Sequence, residues 1–276
     1  MATCTSTPYS LIAFDMDGTL LNSRQEITPR TVAAVNRACA VGQGAAICTG
    51  RAYDEMQEYL AVLGSVRYMV CCSGAYVYED GKCIFSSLME PEVVITCLDI
   101  ASAESAMVNI LTERSYVQRS EMAHIEDYHM EVYRDFYERV GTKADDLTAF
   151  YKAAPFPIGK VNFFHRSAES RARTRARMEA AGVPVEMADN LTGSLECTPA
   201  GMNKAVGLRA LCRHLGISMH EVIAVGDGDN DLPMLKAAGL AAAMGNADEN
   251  VKRMADVVAA DCDYDGCAEV IERFFL

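Results

Sequence analysis

Two short acidic runs, more than 200 residues apart, hold most of the side chains that could do chemistry. The first follows the apolar stretch Leu11–Phe14, which is short enough to be a buried strand, and it begins with Asp15 and Asp17. Gly18 permits the unusual backbone angles of the turn that follows. Close carboxylates at a buried strand end repel each other unless a cation is present. A hard divalent ion would remove that cost.

The second run repeats this arrangement. We predict a strand over Glu221–Val225 and a turn at Gly226, followed by a loop crowded with Asp227, Asp229, Asn230 and Asp231. Ligands that are all oxygen suit magnesium, whereas zinc would call for His or Cys. Either run alone is also typical of an Asp-Gly surface turn or a helix cap. Two such runs, each after an apolar strand, favour a metal site built for phosphoryl transfer.

Four separated motifs resemble those of the haloacid dehalogenase superfamily, within it the Cof-type phosphatases, a group with a large inserted α+β cap (type 2, subclass B). They are DMDGT at Asp15–Thr19, Thr49 in ICTGR, Lys204 in TPAGMNKAVGL, and GDGDND at Gly226–Asp231. The four occur in the order of that family and together span the chain. Four ordered matches are far more specific than one short motif.

The resemblance implies a covalent mechanism. Asp15 would attack phosphorus and become an aspartyl phosphate. Asp17 would protonate the leaving alcohol and later deprotonate the hydrolytic water. Magnesium would be held by a carboxylate oxygen of Asp15, the backbone carbonyl of Asp17, and Asp227, with Asp231 as a ligand or as a residue supporting the ligands. The metal charge would offset repulsion between carboxylate and phosphate.

The resemblance also assigns the residues that hold phosphate. Thr49, Gly50 and Lys204 would bind the transferring phosphoryl oxygens, and Asn230 would reach the same phosphate or order its loop. From the residues alone, Lys204 could equally be a solvated residue at the start of an amphipathic helix, Lys204–Leu215. Thr49 alone could be a helix N-cap. The order of the motifs favours the phosphate-binding interpretation for both.

The charge balance restricts the partners. A net charge of -13 over 276 residues argues against a nucleic-acid surface, which needs clustered Lys and Arg. We expect a small phosphorylated metabolite as the partner, with the metal, Lys204 and Arg51 supplying positive potential locally. Arg166 and the run Arg171–Arg177 fall at helical spacing and are interpreted as a solvated helix face. The sequence leaves monomer and homodimer both open.

The cysteines and the hydropathy pattern bear on location. The eleven cysteines are scattered, often inside apolar stretches, and form no CxxC pair typical of zinc. The N-terminal sequence lacks the pattern of a secretion signal, and no segment approaches the ~20 apolar residues of a membrane span. We therefore expect a cytoplasmic protein without a membrane partner. Ion-pumping relatives with an aspartyl-phosphate loop are excluded on the same ground.

Elements alternate in a βαβ rhythm outside the middle of the chain. After Thr28, Pro29 opens a helix that ends at Gly42, and the rhythm resumes after Met202. The intervening predictions are a strand at Ala45–Cys48, a helix at Tyr53–Leu63 and a strand at Tyr68–Cys72. This alternation predicts an α/β fold, a Rossmann-like doubly wound parallel sheet, with its site at the carboxyl ends of the strands. Residues 1–85 and 195–276 would form this core.

Residues 86–194 would form the inserted cap domain. A hairpin over Ala75–Phe85 precedes it, and its best strands are Lys160–His165 and Val183–Met187, with the arginine-rich helix between them. In the resembling family such a cap closes over the sheet and supplies substrate contacts. The chain has Ser73 where Cof-type relatives usually have Asn, so a contact made by that Asn is in doubt. No cap residue is assigned a role.

Three functions agree with these observations. The first is a magnesium-dependent phosphatase of small monoesters, such as sugar phosphates, FMN or pyridoxal phosphate. The second is a phosphotransferase resembling a phosphohexomutase. The third, of another class, is a non-catalytic regulatory protein that binds metal or phosphate. Every catalytic carboxylate and Lys204 are present, which favours an enzyme, and we expect a phosphoric monoester hydrolase.

Overall fold

The computed structural model describes residues 7–190 and 193–276. Their contacts divide the chain into two units. The first contains residues up to 50, residues 57–85 and residues 204–276, and the second contains residues 51–56 and 86–203. The second unit extends beyond the predicted cap boundary at 194 because residues 194–199 form a strand of its own sheet.

The strands of the described residues are numbered in chain order. They are β1 (Leu11–Phe14), β2 (Gly44–Cys48), β3 (Tyr68–Cys71), β4 (Tyr76–Glu79), β5 (Lys82–Ser86), β6 (Met107–Leu111), β7 (Ser115–Gln118), β8 (Thr142–Ala144), β9 (Lys160–Phe164), β10 (Val185–Asn190), β11 (Ser194–Pro199), β12 (Val222–Gly226), β13 (Leu240–Ala243) and β14 (Val257–Val258). The α-helices of the same residues are α1 (Pro29–Ala40), α2 (Gln57–Val62), α3 (Pro91–Ser102), α4 (Arg119–Met122), α5 (Arg134–Val140), α6 (Leu147–Ala153), α7 (Ala168–Ala180), α8 (Lys204–Leu215), α9 (Leu232–Ala237), α10 (Glu249–Met254) and α11 (Gly266–Val270).

The first unit is built on an eight-stranded sheet with the order β14-β13-β12-β1-β2-β3-β4-β5. The pairs from β14 to β3 are parallel, whereas β4 runs antiparallel to β3. The chain moves from β1 towards β3 in one half and from β12 towards β14 in the other. The strand order therefore reverses at the pair β1 and β12, where open α/β sheets bind ligands. The predicted doubly wound fold is confirmed.

Local sequence explains the elements that flank this sheet. The side chain of Thr28 caps α1 by accepting the N–H of Thr31, and Pro29 occupies the first helical turn. Helix α1 packs against α11, and α8 packs against α9. Right-handed crossovers in opposite directions from β1 and from β12 place these two pairs on opposite faces of the sheet. Both faces of the buried strands β1 and β12 are thus covered.

The predicted hairpin is present as β4 and β5. Asp80 and Gly81 join the two strands with φ of 47° and 78°, as a two-residue turn of the I′ type requires. The predicted helix over Tyr53–Leu63 is shorter in the structure, because Asp54–Met56 form a 3₁₀ turn before α2 begins. That turn belongs to the second unit. Gly226, predicted to turn the chain, is the last residue of β12.

The second unit contains a six-stranded sheet with the order β10-β11-β9-β6-β7-β8. Its neighbours are antiparallel except for the parallel pair β7 and β8. The predicted strands at Lys160–His165 and Val183–Met187 correspond to β9 and β10, and the arginine-rich helix between them is α7. Arg173 and Arg175 of that helix pair with Glu104 and Asp189 at 2.7 and 2.6 Å. The predicted solvated face is therefore only partly exposed, because the side chains of Arg175 and Glu104 are 27% and 8% exposed.

None of the helices in residues 7–190 and 193–276 combines the length and the apolar run that a membrane crossing requires.

Candidate active site

Asp15 lies directly after β1, in a turn that only glycine can complete. The N–H of Asp15 donates to the carbonyl of Val225 at 2.9 Å, which extends the pairing with β12 by one residue. The Asp15 residue is 7% exposed. Gly18 has a φ of +77°, and a Cβ there would lie 2.4 Å from Oδ2 of Asp227. The turn therefore brings the two acidic runs into direct contact.

Lys204 is a buried cation shared by two carboxylates. It is the first residue of α8 and is 1% exposed. Its Nζ donates to Oδ1 of Asp15 and, at 2.6 Å, to Oδ1 of Asp231. Burial opposes its charged form, but the charges of Asp15 and Asp231 outweigh that effect and raise the Lys204 pKa. The alternative of a solvated helix residue is wrong for Lys204.

Asp231 supports the cluster with both of its oxygens. Oδ1 accepts from Lys204, while Oδ2 accepts the N–H groups of Asp227 and Gly228 at 3.0 and 3.1 Å. A Cβ on Gly226 would lie 2.5 Å from Oδ2 of Asp231, so glycine makes room for the carboxylate. Because protein donors engage both oxygens, the geometry favours Asp231 as a support for the metal ligands.

Thr19 orients Asp227, a role that the sequence did not reveal. Its Oγ1 donates to Oδ1 of Asp227 at 2.6 Å. Burial, offset in part by this bond and reinforced by the charge of Asp231, raises the pKa of Asp227 to about 6. The hydroxyl lies inside the first acidic run, but its partner lies 208 residues away along the chain. Local spacing gives no signal for such a pair.

The carboxylates of Asp15, Asp227 and Asp231 fit a hard divalent cation. Each offers one oxygen, and these oxygens lie within 4.8 Å of one another. Burial and then the charge of Asp231 raise the pKa of Asp15 well above its usual range. Among the described residues of this cluster, one ammonium, that of Lys204, pairs with Asp15 and Asp231, and Asp227 adds a third carboxylate. Two negative charges are therefore in excess when all three carboxylates are ionised. Oxygen donors and this charge excess match magnesium.

Thr49 lies at the end of β2, beside the end of β3. It is 1% exposed, its N–H donates to Val70 at 2.8 Å, and its carbonyl accepts from Ser73 at 3.0 Å. Ser73 has a φ of 53° and Cys72 a φ of 50°. Such left-handed positions cost on the order of 1 kcal/mol for residues other than glycine, and Asn tolerates them better than Ser. This strained turn fixes Thr49 and the adjacent Gly50 at the strand end.

Three further predicted residues lie as follows. Asp17 is half-buried, and its backbone forms an isolated parallel bridge with Leu21. Asn230 is half-buried within the 3₁₀ turn Asp229–Asp231. Arg51 belongs to the second unit, where its guanidinium lies 4.7 Å from the centroid of the Phe136 ring. The assigned roles of all these residues stay predictions.

A sequence model of the haloacid dehalogenase-like hydrolases matches residues 12–271. The chain belongs to the haloacid dehalogenase-like hydrolases. The match spans both acidic runs, Thr49 and Lys204, which are the motifs that first suggested this family. The predicted family is therefore confirmed.

Relatives of this haloacid dehalogenase-like hydrolase cover nearly its whole length. The 5-amino-6-(5-phospho-D-ribitylamino)uracil phosphatase YitU of Bacillus subtilis is 29% identical over 97% of this chain and 98% of its own. The chloroplastic endoribonuclease YBEY of Arabidopsis thaliana is 28% identical over 96% of this chain, which spans only 46% of that protein. The solved subclass IIB sugar phosphatase BT4131 is 25% identical, with a TM-score of 0.81 over 97% of this chain and 100% of that one. These likenesses confirm the predicted fold and an enzyme of the phosphatase type.

Proposed function

We propose that this protein is a magnesium-dependent phosphatase of small phosphate monoesters, with Asp15 as its nucleophile. The observation that carries the proposal is the buried contact of Asp15 with Lys204, in a cluster with the carboxylates of Asp227 and Asp231. A structural role alone would not explain why two charges in this cluster lack compensation. A metal ion and a phosphate group together supply a chemical reason for it.

In the first step a carboxylate oxygen of Asp15 attacks phosphorus. The new oxygen–phosphorus bond forms as the bond from phosphorus to the ester oxygen breaks. Asp17, two residues along the same turn, donates its proton to the leaving oxygen, so the product is a neutral alcohol. Lys204 keeps the nucleophile in position, because its ammonium group donates a hydrogen bond to Oδ1 of Asp15.

In the second step water attacks the phosphorus of the aspartyl phosphate. Asp17, now ionised, accepts a proton from that water, and the bond between phosphorus and the Asp15 oxygen breaks. Inorganic phosphate leaves, and both aspartates return to their starting protonation states. Covalent catalysis thus splits the hydrolysis into two easier displacements.

Magnesium would be held by Asp15, Asp227 and the backbone carbonyl of Asp17, with Asp231 supporting them. When bound, the ion supplies positive charge that offsets the repulsion between the carboxylate and the phosphate. Four other groups would bind the phosphoryl oxygens through N–H, hydroxyl, amide and ammonium donors. They are Thr49, Gly50, Asn230 and Lys204.

The substrate class follows from the relatives and from charge. The Bacillus subtilis relative acts on a ribityl phosphate, and the solved neighbour is a sugar phosphatase. We infer that the substrate is a small phosphate monoester, a sugar phosphate or a cofactor phosphate such as FMN or pyridoxal phosphate, with Arg51 among its candidate contacts. The net charge of -13 disfavours nucleic acid. None of the described cysteines forms a disulfide, which agrees with a reducing cytoplasm.

A panel of phosphate monoesters tests this proposal. Phosphate release is measured with magnesium and with EDTA for the parent, for Asp15→Asn and for Asp145→Asn, whose side chain is 91% exposed. We expect magnesium-dependent release by the parent and by Asp145→Asn, and none by Asp15→Asn. If the parent binds magnesium but releases phosphate from no ester, hydrolysis is the wrong reaction. Transfer between sugar hydroxyls would be the next to measure.

A further inference from the structure

A loop after β13 contacts the second acidic run through its backbone. The N–H of Met244 donates to the carbonyl of Gly226 at 3.0 Å, and the N–H of Asp248 donates to the carbonyl of Asp227 at 3.2 Å. We call residues 244–248 the clamp loop. Its backbone thus holds the peptide groups on both sides of the Asp227 side chain.

Asn246, in the middle of the clamp loop, reaches the first acidic run as well. Its Nδ2 donates to the carbonyl of Gly18 at 2.7 Å, and its Oδ1 accepts the N–H of Cys262 at 3.0 Å. Asn246 is exposed, so its side chain is not held in place by burial. One amide therefore connects three segments that are distant in the sequence.

The peptide group that Asn246 bonds is the one that joins Gly18 to Thr19, the residue that orients Asp227. The Gly18 carbonyl belongs to the peptide unit of Thr19, and Thr19 Oγ1 donates to Asp227 at 2.6 Å. The carbonyl of Thr19 itself accepts from Sγ of Cys267 at 3.3 Å. With Gly18 at a φ of +77°, rotation of this peptide would move the Thr19 hydroxyl away from the carboxylate.

We propose that Asn246 is a positioning residue for Asp227. Its amide fixes the Gly18–Thr19 peptide, Thr19 fixes one oxygen of Asp227, and the carboxylate is thereby oriented for a divalent cation. The inference rests on the proposed function, in which Asp227 is a metal ligand. Residues that hydrogen-bond directly to a metal ligand typically contribute about 10- to 100-fold to metal affinity or activity, so Asn246, one step further out, should contribute at the lower end of that range.

Two substitutions distinguish the bond that the Asn246 amide donates to Gly18 from the bond that it accepts from Cys262. Asn246→Ala removes both bonds, whereas Asn246→Asp keeps an acceptor for Cys262 but cannot donate to Gly18. The added charge of the aspartate can only strengthen long-range attraction for a cation. Weaker metal binding by Asn246→Asp would therefore point to the lost donor. Asn36→Ala is the control, because Asn36 is also exposed and accepts a bond from Ser65 on another element.

Magnesium affinity is measured by calorimetry without substrate. The values of kcat and KM are measured with an ester that the parent hydrolyses, and stability is measured by urea unfolding in EDTA. We expect both Asn246 variants to bind magnesium about tenfold more weakly than the parent. Their kcat should fall while KM changes little, and their unfolding midpoints in EDTA should match that of Asn36→Ala.

Parent-like magnesium affinity in Asn246→Ala would overturn the proposal, since that variant lacks both bonds and adds no charge that could mask the loss. A loss of affinity matched by an equal loss of stability in EDTA would also overturn it, as this would be a folding effect. If the parent binds magnesium but hydrolyses no ester, the proposed function fails, and calorimetry still decides the role of Asn246.

Discussion

In the first unit a buried ionic cluster lies where β1 and β12 end, whereas in the second unit a buried ion pair lies within two strands. Lys204 meets Asp15 and Asp231 after β1 and β12. Lys160 and Glu196 instead pair at 2.7 Å from positions inside β9 and β11, with side chains 1% and 8% exposed. The first arrangement has an excess of carboxylates over ammonium groups, and the second is balanced. An unbalanced buried cluster indicates a binding site, and a balanced pair can be purely structural.

The largest effect should come from removing the shared cation of the first unit. Lys204→Met leaves Asp15 and Asp231 buried without their partner, so the free energy of unfolding should fall by about 4 kcal/mol. Phosphate release should fall about 1000-fold, because the group that fixes Asp15 is lost. Steady-state kinetics and urea unfolding measure the two effects. Lys252→Met, at a surface pair with Glu249, should change neither; near-normal turnover in Lys204→Met would contradict the assignment.

Removing the cation of the second unit should cost stability that a second substitution restores. Lys160→Met should lower the free energy of unfolding by about 3 kcal/mol, since the buried Glu196 then loses its cationic partner. The double variant Lys160→Met/Glu196→Leu should recover most of that loss, because an apolar pair avoids the desolvation of charge. Urea unfolding checks both. A double variant as unstable as the single one would make the pair part of a larger polar network.

Magnesium should stabilise the protein far more at pH 8 than at pH 5. The raised pKa values of Asp15 and Asp227 mean that the folded protein binds more protons than the unfolded chain between about pH 4 and 6. Stability without metal is therefore lost as the pH rises through that window. Magnesium at 100 times its Kd should add about 2.7 kcal/mol at pH 8. At pH 5 protons compete for the carboxylates, so the gain should be smaller.

Thermal unfolding with magnesium and with EDTA at both pH values measures that gain. Asp227→Asn serves as the comparison, because this variant should lose most of the stability that magnesium adds. A gain equal at pH 5 and pH 8 would show that the ion binds elsewhere than at these carboxylates.

The smallest effect concerns a lone carboxyl of the second unit. Burial raises the pKa of Glu121 to about 7, although it accepts the N–H of Val108 at 3.2 Å. The stability it contributes is present below its unfolded pKa and is lost as the pH rises towards 7. Glu121→Gln should therefore gain about 2 kcal/mol relative to the parent between pH 4 and pH 8.

Urea unfolding of both proteins at the two pH values tests this. Glu138→Gln is the opposite case. The hydrogen bond from Lys143 lowers the pKa of Glu138, so this variant should lose stability relative to the parent as the pH rises. The same change in Glu121→Gln as in Glu138→Gln would contradict the burial argument.

The first unit could be predicted because its signals are local. An apolar strand followed by acidic residues predicted where Asp15 and Asp227 lie, and the parallel topology then brought the strand ends together. Thr28 and Pro29 predicted the start of α1 for the same reason, since capping acts within one turn. The family resemblance added Lys204, whose local pattern was ambiguous.

The second unit and the clamp loop depend on contacts that local pattern does not encode. Strands β6, β7 and β8 are short, and their order in the sheet is set by the pairing of β6 with β9, of β7 with β6 and of β8 with β7. Likewise, Asn246 reaches Gly18 across 228 residues of sequence. A side-chain hydrogen bond of this kind depends on the tertiary fold and cannot be predicted from a periodic sequence pattern.

The most direct test of the account is whether phosphate becomes attached to Asp15. Asp17→Asn is mixed with magnesium and p-nitrophenyl phosphate, whose leaving group departs without a proton, and the reaction is quenched in acid for peptide mass spectrometry. Because Asp17 would activate the water of the second step in the proposed mechanism, phosphate should accumulate on Asp15 and be absent when Asp15→Asn is added to the variant. Phosphate on another residue, or release that survives Asp15→Asn, would contradict the central claim.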